Sequence, residues 1–65
     1  MSRRHTYRTV LVYALAIAGG EVWLAELLQV SLPTLIDWLG GIDPIPTEIF
    51  LKAVDIVLAA KLKGD

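Results

Sequence analysis

The chain has no cysteine, so neither a disulfide framework nor a thiolate zinc site can staple it, and nothing points to an oxidising compartment. A cytoplasmic protein is expected. It has a single histidine, His5, with no second histidine or cysteine to complete a metal site. Nucleophilic catalysis needs a nucleophile, a base and an orienting group within reach of one another, and one histidine near a terminus cannot supply them. The seven carboxylates are scattered at helix starts and surfaces, with no close pair of the kind that does acid–base work. No glycine-rich phosphate loop is present. These absences argue against an enzyme, a cofactor, a metal site or a small-molecule substrate.

Long hydrophobic runs are also missing. The uncharged stretch from Thr9 to Gly20 is well short of the ~20 residues a bilayer requires, so no membrane span is expected. SRRHTYR followed by TVLVYALAIA and a small-residue ending at Ala18 has the layout of a secretory signal peptide. Its removal would leave a cysteine-free remainder too short to fold comfortably, and a folded reading of the segment is preferred.

What remains is a strongly apolar chain of 65 residues, 55% hydrophobic and 20% charged, with a mean hydropathy of +0.60. That length suits one small domain, and the composition rules out disorder. It also exceeds what a small monomer needs to cover a core, so some apolar surface is expected to face a partner. The net charge of −1 conceals an asymmetry: Arg3, Arg4 and Arg8 occur with no acid before Thr9, whereas the rest of the chain carries all seven acids and only three lysines. Residues 1–6 therefore read as a basic arm and residues 7–65 as the domain.

No segment shows the sustained two-residue alternation of a strand, and punctuation divides the chain into four helices. An all-α bundle follows. Helix 1 is expected from Tyr7 to Ala18, with Tyr7, Leu11, Ala14, Leu15 and Ala18 on one face and Gly19-Gly20 at its end. Helix 2 covers Glu21 to Leu28. Gln29 and Val30 form a turn, and Ser31 caps helix 3, which carries Pro33 in its first turn and stops at Gly40-Gly41. The rigid IDPIP connector leads to helix 4, Thr47 to Leu62, with Ile49, Phe50, Ala53, Val54 and Val57 as its core stripe.

Two short helices joined by a tight turn need a small residue where they meet and apolar residues behind the second helix. Ala25 supplies the first, and Val30, Leu35, Trp38 and Leu39 supply the others. In this register GGEVWLAELLQVSLPTLIDWLGG, Gly19 to Gly41, resembles the helix-turn-helix domains of phage repressors and Cro proteins. The following PIPTEIFLKAVDIV is similar to the closing helix of bacterial members of that family. The resemblance implies a lambda repressor-like fold and a small dimeric transcriptional regulator that binds double-stranded DNA, with helix 3 in the major groove.

Carried over by position, the resemblance makes Ser31, Leu32, Pro33, Ile36 and Asp37 the base-contact candidates, with Arg3, Arg4 and Arg8 on the DNA backbone. Three departures stand out. Gln29 occupies a turn position where the family prefers glycine, Ile36 and Asp37 replace residues that are commonly basic or amide-bearing, and Leu32 and Pro33 offer only apolar contact. They define an alternative, a helix-turn-helix scaffold turned to protein binding with Leu32 and Ile36 as anchors. Trp23 and Leu27 on helix 2 and Leu51, Leu58 and Leu62 on helix 4 lie off the core faces. They are expected to form a dimer or partner surface unless helix 1 covers them.

Overall fold

The computed structural model describes residues 3–63, with the side chains of residues 6–63. It contains four helices and, among the described residues, no strand: α1 (Arg3–Ala18), α2 (Glu21–Leu28), α3 (Leu32–Leu39) and α4 (Thr47–Lys63). The interior boundaries fall within a residue of those expected. The first does not, because α1 begins at Arg3 rather than Tyr7. The backbone expected to be an arm from Arg3 to Thr6 is the opening of that helix.

Three helix ends share one device. At the end of α1, the amides of Gly19 (φ +90°) and Gly20 both donate to the Leu15 carbonyl, at 3.1 and 3.3 Å. At the end of α2, Gln29 adopts the left-handed region (φ 59°, ψ 45°), its amide donates to Glu26 and the Val30 amide reaches back to Ala25 at 3.0 Å. At the end of α3, Gly41 (φ +77°) donates to Trp38 and Ile42 to Asp37 at 2.9 Å. At the ends of α2 and α3 this is the Schellman pattern, in which a left-handed residue lets two late amides satisfy two carbonyls the helix leaves open; at the end of α1 the two amides share one carbonyl. Glycine fills the left-handed position twice. Gln29 fills it once, against the steric cost of its Cβ.

Helix α3 starts as expected. Ser31 is extended (φ −72°, ψ 151°), its hydroxyl accepts from the Thr34 amide at 3.4 Å, and Pro33 sits in the first turn, where its missing amide costs nothing. Helix α4 has Glu48 in its first turn and Lys61 and Lys63 in its last, matching the helix dipole at both ends.

The core is built from Leu11 and Ala14 of α1, Leu24, Ala25 and Leu28 of α2, Leu35 and Trp38 of α3, and Ile49 and Ala53 of α4. Its three alanines let backbones approach closely. Its four fully buried leucines, Leu11, Leu24, Leu28 and Leu35, each contribute about 1.5–3 kcal/mol. Val30, Leu32, Leu39 and Val57 pack around this centre. Phe50 and Val54, expected in the core stripe of helix 4, are only half-buried. Phe50 instead stacks on Tyr7, with ring centroids 4.2 Å apart and planes at 11°, and the Tyr7 hydroxyl lies 3.2 Å from that of Thr47. These contacts fix the start of α1 to the start of α4, its most extensive neighbour.

The molecule measures 35 × 28 × 17 Å. Its thin dimension admits two helix layers at the usual 8–10 Å spacing, too little depth to enclose all its apolar side chains. No single helix among the described residues is long and apolar enough to cross a membrane, and the chain bends by 109° between α1 and α2.

Candidate functional site

The α2–turn–α3 unit presents a mixed set of side chains. Pro33 and Ile36 are exposed. Leu32, the first residue of α3, is half-buried and packs on the core. The Ser31 hydroxyl is occupied by the cap and lies 2.7 Å from the Thr34 hydroxyl. Asp37 is half-buried, and its carbonyl accepts the Ile42 amide. Of the five positions carried over from the resemblance, Ser31, Pro33 and Ile36 are exposed, and the Ser31 hydroxyl is taken up by the cap.

The electrostatics of this face are one-sided. Between Arg8 and Lys52 the sequence holds no lysine or arginine, while Glu21, Glu26, Asp37, Asp43 and Glu48 all fall in that interval. The interval contains all of α2, the turn and α3. Arg8 borders it and uses one of its donors within the fold. Its Nε donates to the Leu39 carbonyl at 3.0 Å, placing a cation at the negative end of α3. Arg8, expected on a DNA backbone, ties α1 to the last turn of α3 through its Nε. Arg3 and Arg4 lie in the first turn of α1 by backbone, and their side chains fall outside the described set, as does that of His5.

Beside Trp38, Arg8 and residues Gly41 to Ile45 line a cleft of about 80 Å³, well below the roughly 300–1,000 Å³ of small-molecule sites. A larger depression over Arg8, Val12 and Tyr13 is wide and open along one helix face.

The expected partner residues Trp23, Leu27, Leu51, Leu58 and Leu62 are all exposed, between 51% and 83%, so α1 does not cover them. Sequence reasoning missed a further set of exposed apolar residues, Val12, Tyr13 and Ile17 on α1 and Val22 on α2. The signal was present in the uncharged run from Thr9 to Gly20, since the outer face of a solvated helix normally carries charge.

Comparison with protein-family models, curated proteins and solved structures found no match to this chain.

Proposed function

We propose that this chain is a protein-interaction module on a helix-turn-helix scaffold of the repressor and Cro kind, with the outer face of α3 docking on a partner protein. The observation that carries this reading is the absence of any cation across α2, the turn and α3, together with the engagement of Arg8 at Leu39. A helix pushed toward phosphates needs basic groups around it, because phosphate neutralisation dominates nucleic-acid affinity. Here Pro33 and Ile36 are exposed on α3, and the only charges that α2 and α3 carry are those of Glu21, Glu26 and Asp37. The partner surface that fits is apolar at its middle and basic at its rim, since opposed charges around a desolvated centre set specificity and encounter rate.

The second reading is DNA binding by a small transcriptional regulator. It is favoured by Arg3 and Arg4 in the first turn of α1 and by Ser31 capping the head of α3. A titration of labelled random-sequence duplex across a salt series separates the two. The interaction reading expects no binding, or weak binding with little salt dependence. Binding that falls steeply with salt, and that is lost when Arg3 and Arg4 are replaced by alanine, overturns it in favour of DNA.

A further inference from the structure

The outer face of α4 bears a pattern that the fold does not use. Leu51, Asp55, Leu58 and Leu62 follow one another at intervals of four, three and four residues, the spacing of a coiled-coil seam. All four are exposed. The opposite side of the same helix carries Ile49, Ala53, Ile56 and Val57, which pack into the domain. Helix α4 is thus apolar on two opposite stripes, only one of which the monomer covers.

We infer that this second stripe pairs with the same stripe of a second copy of the chain, the two α4 helices running antiparallel across a two-fold axis. The charges along α4 identify the occupant. Glu48 lies in its first turn and Lys61 and Lys63 in its last, with Lys52 and Asp55 between them, so reversing a second copy brings the Glu48 end against the Lys61–Lys63 end and opposes the two helix dipoles. A surface of this kind is complementary to itself, as a closed two-fold interface requires.

The spacing also fixes the register. Leu51 falls opposite Leu62 of the second copy and Asp55 opposite Leu58 of the second copy; the two-fold axis repeats both layers. Lys61 of the second copy then lies within a turn of Asp55, which gives the one polar seam residue a countercharge. Lys52 flanks the seam opposite Ala59 of the second copy, so no like charges meet there. From Leu51 to Leu62 the seam runs about 16 Å, a short contact that leaves the faces of α2 and α3 free. The pairing therefore stands or falls separately from the reading of α3.

Analytical ultracentrifugation of the full chain over a range of concentrations tests it. The expected result is a species of twice the 7.1 kDa chain mass at the higher concentrations. Leu58→Asp should make it monomeric with unchanged helical circular dichroism. Asp55→Lys and Lys61→Asp should each weaken pairing at least tenfold, and the double exchange should restore it. Because the chain has no cysteine, single replacements Leu51→Cys and Leu62→Cys report direction: mixing the two variants should give the mixed disulfide in preference to either self-disulfide. A wild type that stays monomeric, a dimer indifferent to Leu58→Asp, folded charge variants without rescue, or a dominant Leu51→Cys self-disulfide each overturns the inference.

Discussion

Arg8 and Leu39 are joined across the molecule by a hydrogen bond from the guanidinium Nε to the backbone carbonyl, 3.0 Å long. The bond does two things at once. It satisfies a carbonyl that the end of α3 leaves open, and it sets a permanent positive charge where the helix dipole is negative. Arg8→Ala is therefore expected to lower stability by about 1 kcal/mol, the scale of a partly exposed charged hydrogen bond, and to lower the midpoint of thermal unfolding by roughly 4–8 °C for a domain of this size. Arg8→Lys keeps the charge without the directed donor and should fall between. An unchanged melting curve for Arg8→Ala would mean that the side chain contributes nothing to the fold and is free for another use.

Gln29 carries the strain of the turn. Its left-handed backbone costs a residue with a Cβ about 1–2 kcal/mol, and glycine recovers this strain but offsets part of the gain by raising the entropy of the unfolded chain. Gln29→Gly should accordingly stabilise the protein by about 0.5–1 kcal/mol. Gln29→Val, branched at the crowded atom, should destabilise it. Urea unfolding provides the check: the midpoint should move in opposite directions for the two variants at constant slope.

The four helices and most of the core were legible because they rest on local rules. Ala25, Leu28, Leu35 and Trp38 recur at helical spacing, and Gly19, Ser31, Pro33 and Gly41 punctuate at positions that suit their residue types. Exposure of Trp23 and Leu58 was legible for the same reason, since each lies off its helix's core face. The role of Arg8 was not. A long side chain reaching a carbonyl 31 residues away leaves no period in the sequence, and a basic cluster near a terminus reads the same whether it is solvated, bound to phosphate or capping a helix. The inward packing of Leu32 was hidden because its direction depends on the turn before it.

Ser31 separates the structural from the recognition reading of the head of α3. Its hydroxyl accepts from the Thr34 amide, and Ser31→Ala should cost about 1 kcal/mol through loss of the cap. Ser31→Asp keeps the acceptor and adds favourable charge at the helix start, so stability should be held or raised. On the DNA reading the same substitution would set a carboxylate against phosphate and abolish binding. Thermal unfolding and a duplex titration of the two variants give different orderings for the two roles.

Leu35 and Ile36 are neighbours in sequence with opposite fates: the first is fully buried and the second 45% exposed. Leu35→Ala removes a side chain from the point where α3 seats on the domain, at a cost of about 2–5 kcal/mol. A domain of this length rarely holds more than about 3–5 kcal/mol in total, so the variant should be largely unfolded at room temperature. Ile36→Ala should change stability by no more than about 0.5 kcal/mol. The two tryptophans make the comparison readable by fluorescence, because Trp38 is 8% and Trp23 61% exposed. In a Trp23→Phe background the emission of Trp38 should be blue-shifted in the parent and in Ile36→Ala, and red-shifted in Leu35→Ala. Equal losses at both positions would mean that α3 does not present Ile36 outward, and the docking face assigned to it would have no side chain at its centre.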